Sequence, residues 1–346
     1  MLWIDKYAPR TIAGLDCHRE INEVFTQLCK SSDIPHLILY GPSGSGKKAR
    51  IMVLLREIFG AKADHIKVET LTDKNTNTEI TVSQSQCHTN IMCNDLGTRD
   101  RVIVQNIIRS LCASSFTSSF FSKGPTFRVF VLHDADFLSE AAQAALRRTL
   151  EKHIRNARVF MHVKELSRIM PPLKSRCLCI RLGLPRKEEV VAVLRNICTY
   201  ENISTSQADN ALLERICDAS DRNLRRSILT LETIATNGFV DPMTSLTLPW
   251  ERCIKSIAEG IATKQTVQNL AALRTKVYEL FVCCIPGSTV LQCIATYLLK
   301  HPKAKNMNAI LAHLGAHFSH TMRMGSREIW HIEAFIAQAM AHLARQ

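Results

Sequence analysis

The chain has 346 residues, 46% of them apolar, and carries 44 Lys and Arg against 31 Asp and Glu, a formal charge of +13. That length accommodates two or three domains with sizeable cores, and the positive balance points either to a polyanionic partner or to a plain basic surface. No run of about 18 apolar residues occurs, which excludes a transmembrane helix, and the start MLWIDKYAPR is too charged for a secretory signal. The 13 cysteines include no C-x-x-C pair and no histidine partners at zinc spacing, so they are expected to be reduced, mostly buried thiols of the cytosol or nucleus.

In chain order, β-rich runs are expected at His36–Tyr40, Ile66–Thr70, Glu79–Ser83, Arg128–His133, Ala157–Val163 and Leu178–Leu182. Between them, Ile51, Leu54, Leu55, Ile58 and Phe59 follow helical spacing, with Gly60 placed as a C-terminal cap. Val104, Ile107, Ile108 and Leu111 repeat that spacing. Such alternation predicts a parallel sheet with helices on both faces. The turn-rich stretch Asp73–Asn77 between two β-prone runs predicts an inserted hairpin. After Leu184-Pro185 the pattern is helical, through Val190, Val191, Leu194, Ile197 and Cys198, then Arg225–Thr236. Asn237–Pro249, with Gly238, Pro242 and Pro249, reads as a linker. Beyond it, Leu270, Leu273, Val277, Leu280 and Phe281 form one helical face. Ile329, Ile332, Ile336, Met340 and Leu343 form another, with Ser326 as its N-cap.

The stretch Gly41-Pro42-Ser43-Gly44-Ser45-Gly46-Lys47-Lys48 follows the strand HLILY and opens a helix, the context that a phosphate-binding loop requires. The glycines let backbone N–H groups turn toward a phosphate chain, the helix N-terminus adds partial positive charge, and Lys47 can reach the β- and γ-phosphates. The last position departs from the pattern. A competent loop has Ser or Thr there as a Mg²⁺ ligand, and the ammonium of Lys48 has no lone pair to give.

The second half of such a site is a strand ending in an Asp for the metal and a Glu to activate water. Here the strand runs into His133-Asp134-Ala135-Asp136. His133 stands in place of the metal-linked carboxylate, although it is equally readable as a strand-end residue with a structural hydrogen bond. Asp134 stands in place of the base, one methylene short. A third position, where Asn or Thr senses the γ-phosphate, holds Lys164. These departures predict that ADP or ATP is bound with little or no hydrolysis, and that Mg²⁺ is weak or excluded in this chain's own site.

The segments LWIDKYAPRTIAGL, PHLILYGPSGSGK, AAQAALRRTLE and PPLKSRC resemble, in this order, those of the small subunits of eukaryotic replication factor C. VYELFVCCIP, MGSREIWHIEAFIAQ, DLGTRDRVIVQ and the G-K-K loop ending resemble the third small subunit, which sits at the end of the ring and has a non-standard nucleotide site. The resemblance implies an α/β AAA+ module, a RecA-like parallel sheet with a helical lid, followed by an all-α collar. The corresponding boundaries are 1–184, 185–240 and 241–346. It implies a nuclear, heteropentameric loader that uses ATP to place the PCNA ring on primer–template DNA, with other replication factor C subunits as partners and no membrane. His133 and Asp134 then form a degenerate Walker B end, and Lys164 occupies the sensor 1 position. Arg176 of Ser175-Arg176-Cys177 would reach, in trans, the γ-phosphate of the neighbouring subunit. Arg225 would contact phosphate in cis, a helix salt bridge being the alternative. Tyr7, Pro9 and Pro35 match the segments that wrap the adenine. Arg99 and Arg101 match the DNA-tracking region, or form a solvated basic face. Phe116, Phe120 and Phe121 would contact the clamp, or pack in a core. An active ATPase or helicase-like motor of the same fold, and a scaffold that binds no nucleotide, are the rival readings.

Overall fold

Apolar runs such as HLILY and ARVFMHV suit strands covered on both faces, and they form the centre of the first unit of the molecule. The structure is a computed structural model describing residues 1–31, 33–73, 78–102, 105–106, 108, 127–154, 156–203, 208–239, 246–302, 307–325 and 327–344. Side chains are described for the same residues except 71–80, 98 and 99. The chain divides into two units, Met1–Pro242 and Met243–Gln346.

The first unit holds seven strands: β1 (His36–Tyr40), β2 (Lys67–Asp73), β3 (Thr78–Gln84), β4 (His88–Met92), β5 (Arg128–His133), β6 (Ala157–Val163) and β7 (Cys177–Arg181). Their order across the sheet is β2-β3-β4-β5-β6-β1-β7. β4, β5, β6, β1 and β7 pair in parallel. β2 and β3 form the expected antiparallel hairpin, with Lys67 opposite Gln84 and Asp73 opposite Thr78, and β3 joins β4 antiparallel. β4 is an element the sequence reading missed. Its residues HTNIM begin with three polar side chains, yet His88 and Thr89 are fully buried between the neighbouring strands.

Side-chain alternation splits the core into two layers. Leu37, Leu39, Val129, Val131 and Phe160 meet Phe25 of helix α2 (Arg19–Lys30) and Ile51, Leu54 and Leu55 of α3 (Lys47–Phe59). Ile38, Phe130, Leu132, Val159 and Met161 meet Ala142, Leu146 and Leu150 of α4 (Glu140–Lys152) and Leu173 of α5 (Pro171–Lys174). The short α1 (Trp3–Lys6) precedes all of these. As expected, α3 ends at Gly60, whose φ of 66° suits a glycine and whose N–H caps the Arg56 carbonyl. Of the helical stripe expected from Val104 to Leu111, only Ile108 lies within the described residues, and it is buried. Among the described residues, three further helices of this unit are α6 (Lys187–Tyr200), α7 (Asn210–Ala219) and α8 (Leu224–Thr236).

The second unit is helical: α9 (Pro249–Thr263), α10 (Val267–Val282), α11 (Gly287–Lys300), α12 (Asn308–Met324) and α13 (Glu328–Leu343). Pro249 does not belong to the linker; it is the first residue of α9, where its fixed φ and missing N–H cost nothing. Ser326 lies outside the described residues, and the flanking Arg327 makes no side-chain cap bond. Glu328 instead accepts the Gly287 N–H at 2.8 Å and ties the start of α13 to the start of α11. The 12 cysteines described are free thiols, but burial differs from expectation: Cys17, Cys93, Cys198 and Cys217 are buried, the others half-buried, and Cys283 and Cys284 exposed. Among the described residues no helix is long and apolar enough to cross a membrane.

Phe335, fully buried in the helical unit, stacks edge-on against Phe318 with ring centroids 6.3 Å apart. Phe335→Ala should cost about 3–5 kcal/mol of unfolding free energy, measured by urea denaturation; a loss below about 1 kcal/mol would mean that this position is not central to the core.

Candidate nucleotide site

In sheets of this topology ligands collect at the carboxyl ends of the parallel strands. β1 delivers the glycine loop there, β5 delivers His133 and Asp134, and β6 runs into Lys164. Gly41, at φ 149°, lies so close to the next strand that a Cβ would fall 1.9 Å from the Leu182 carbonyl oxygen. Gly44, at φ 77°, would place a Cβ 1.8 Å from Asn223 Oδ1. The absent side chain lets the start of α8 reach the loop, where the Leu224 N–H donates to the Gly44 carbonyl at 3.2 Å. Asn223 also caps α8 through the Arg226 N–H. The sequence reading missed this contact between loop and lid.

Lys47 is buried, and its ammonium donates to the carbonyls of Gly41 at 2.7 Å and Pro42 at 2.6 Å. Burial, the largest cause, pulls it down to about 8; Asp134 and Asp136 oppose this, while Lys164 and Arg225 add to it. Lys48 is exposed and bears on His133. His133 is 3% exposed and held down to about 4, mainly by burial and next by Lys48; it is a neutral imidazole at physiological pH. Its ring lies 6.0 Å from that of His162, also held near 4 by burial first and Lys47 second.

Asp134 leaves β5 in the left-handed region, φ 51°. Its N–H donates to His162 Nδ1 at 3.3 Å, and its Oδ1 lies 3.7 Å from Lys164 Nζ. The two substituted positions, base and sensor, thus face one another as an ion pair. Lys164 also sits 5.5 Å from the centre of the Phe137 ring. His162 was not foreseen as part of this cluster; its place two residues before Lys164 on the strand is the available signal.

The loop is propped from behind by Arg50, which is buried on α3 and donates to the Ser45 carbonyl at 3.2 Å and the Cys17 carbonyl at 2.7 Å. Arg50 sits on the apolar stripe of its helix, which is the sequence signal for such a tether. Next to it, the His18 N–H donates to Glu189 of α6 at 3.0 Å. The N-terminal segment therefore approaches the loop at Cys17 and His18.

The residues that the family segments set beside the adenine make these contacts. Tyr7 stacks on Tyr200 with centroids 5.6 Å apart and donates to Glu201 at 2.7 Å. The Pro9 carbonyl accepts from Arg56 at 3.3 Å, roughly 13 Å along α3 from Lys47. Pro35 precedes β1 and is exposed at its amino end, while the loop follows the carboxyl end, roughly 16 Å away at strand rise.

Arg176 is held by Glu151 of α4, Nε at 2.7 Å and Nη2 at 2.6 Å, and donates to the Pro172 carbonyl at 2.7 Å. Its side chain is 32% exposed. An ion pair so open to solvent contributes little and can be exchanged for a stronger anion. Arg225 is exposed, with its charge bearing on Lys47 and His162. Arg101 is exposed beside Asp100, whose buried carboxylate accepts the N–H of Arg101 and that of Ser139. The Arg99 side chain, and Phe116, Phe120 and Phe121, lie outside what is described.

Three family models match along the chain. Residues 17–185 match "DNA polymerase III, delta subunit", 192–236 match "RCF1/5-like, AAA+ ATPase lid domain", and 250–346 match "Replication factor C subunit 3, C-terminal domain". Replication factor C subunit 5 of Schizosaccharomyces pombe is 35% identical over 98% of this chain and 96% of its own length. The chain belongs to the replication factor C subunit family. Subunit 3 of Arabidopsis thaliana is 36% identical over 99% of this chain and 97% of the relative, and human subunit 3 is 33% identical over 98% and 95%. RuvB of Thermotoga maritima matches in structure with a TM-score of 0.52 at 13% identity, over 85% of this chain and 91% of that one, a likeness of fold alone. The AAA+ module with an all-helical C-terminal domain, expected from the family segments, is the architecture present.

His36, His88, His133 and His162 are each held down to about 4 from 6.5, chiefly by burial. The unfolded chain takes up protons below 6.5 that the folded chain refuses until about 4, so stability falls as pH drops through that window. Unfolding free energy at pH about 5 should lie below that at about 7.5 by up to about 2 kcal/mol per histidine. Equal stability at the two pH values would show that these imidazoles are not held neutral by the fold.

Proposed function

We propose that this replication factor C subunit works within the heteropentameric loader that opens the PCNA ring and closes it on primer–template DNA. Its place is the nucleus, in DNA replication and repair. Its own pocket holds ADP or ATP with little or no hydrolysis, and Arg176 serves the nucleotide of the neighbouring subunit. The observation that supports a silent pocket most directly is the Asp134–Lys164 pair at 3.7 Å. The carboxylate that would take a proton from the attacking water is one methylene short, and an ammonium stands beside it in a partly exposed pair. A misplacement of about an ångström at that point costs on the order of 10²-fold in rate.

The trans role for Arg176 is supported by its exposure and by its exchangeable hold on Glu151. Phosphoryl transfer spreads negative charge over the equatorial oxygens, and a guanidinium brought from outside is worth about 10³–10⁵ in rate. Tracking of DNA needs only backbone phosphate contacts, which carry no sequence information. Arg101 and the overall charge of +13 suit that task.

The purified chain should turn over ATP well below about 1 s⁻¹, the low end of the usual enzymatic range; turnover at or above that rate would make it an active ATPase. In the assembled loader, Arg176→Ala should lower hydrolysis at the neighbouring site by about 10³-fold or more while the complex still elutes intact on size exclusion. An unchanged rate would refute the trans role.

A further inference from the structure

A phosphate loop of this kind implies Mg²⁺, and the residues present do not fit it. Mg²⁺ demands near-octahedral oxygen ligands. The loop position that would lend a hydroxyl is Lys48, and the strand-end position that would lend a carboxylate is the imidazole of His133. The Asp134 carboxylate faces Lys164 at 3.7 Å. What remains is Asp136, 8% exposed, with Oδ1 buried and without a hydrogen-bond partner, one carboxylate with neither the loop hydroxyl nor the strand-end carboxylate beside it. Among the described residues no group of three or more His, Cys, Asp or Glu is arranged to hold a metal ion.

We infer that the ammonium groups of Lys48 and Lys164 together replace the divalent cation, so that the pocket receives nucleoside di- or triphosphate free of metal. This rests on the pocket being a nucleotide site, as proposed above. The two lysines stand where a metal-dependent site carries the loop hydroxyl and the polar sensor, and Lys164 keeps Asp134 as a partly exposed counter-ion at 3.7 Å. Lys48 stands at the first turn of α3 and bears on His133; Lys164 stands at the end of β6 against Asp134. Lys47 donates to the loop carbonyls, with the charges of Lys164 and Arg225 bearing on it. An ammonium is a compact point charge that donates hydrogen bonds without a fixed coordination geometry, so it neutralises phosphate without placing a water for attack. A nucleotide arriving with Mg²⁺ brings a cation into a cluster already rich in lysine and arginine. Mg²⁺ in solution should therefore compete with the pocket for the phosphates.

The test is calorimetric titration of ATP and ADP into the full-length chain, in EDTA and in excess Mg²⁺. The expected result is binding in EDTA, with ATP about tenfold tighter there than in Mg²⁺. Lys48→Thr/Lys164→Asn should lose about tenfold or more in EDTA, and the slope of log affinity against log salt should become shallower. Thermal melting checks that the variant folds; if it does not, Lys48→Thr alone, on an exposed side chain, carries the same comparison. Binding only with Mg²⁺ would overturn this inference and leave the nucleotide reading standing. Unchanged EDTA affinity in a folded variant would also overturn it. Binding of neither nucleotide under either condition would remove the nucleotide site itself.

Discussion

Asp134 leaves its strand in the left-handed region, and its carboxylate meets the Lys164 ammonium across the gap between β5 and β6. In a hydrolytic pocket those positions carry an acid that handles water and an amide or hydroxyl that reads the terminal phosphate. Here they satisfy one another. Each substitution alone would damage the site: an unopposed Lys164 would crowd Lys47 with more positive charge, and an unopposed Asp134 would repel phosphate. Together they form a partly exposed ion pair at the ends of the two strands.

The parallel sheet makes that pairing possible. β1, β5 and β6 end on the same side, so the loop, the carboxylate and the sensor position converge although the sequence separates them widely. Behind the loop, Arg50 ties Ser45 to Cys17, and in front of it Asn223 crowds against Gly44, where no side chain stands in the way. The loop is thus gripped by the N-terminal segment and by the lid. Within that grip the Lys47 ammonium donates to the Gly41 and Pro42 carbonyls.

Much of this was legible in the sequence because strongly patterned segments mean the same thing in any context. HLILY followed by a glycine loop and the Gly60 cap fell where they were expected. β4 escaped because its burial comes from its neighbours and not from its own residues, three of which are polar. Pro9 and Pro35 carry no directional signal, and only the fold shows that the chain passes the loop at Cys17 and His18. The Lys164–Asp134 pair could be foreseen as two departures but not as one contact, since the residues lie on different strands.

The central claim is that this pocket substitutes ammonium groups for a metal ion, and paramagnetic resonance with Mn²⁺ as a stand-in for Mg²⁺ addresses it directly. In a titration of Mn²⁺ into chain loaded with ADP and freed of excess nucleotide, the account predicts that the signal of free aqueous Mn²⁺ grows from the first addition. Loss of that signal until one Mn²⁺ per chain had been taken up, with broadening from phosphate contact, would contradict it.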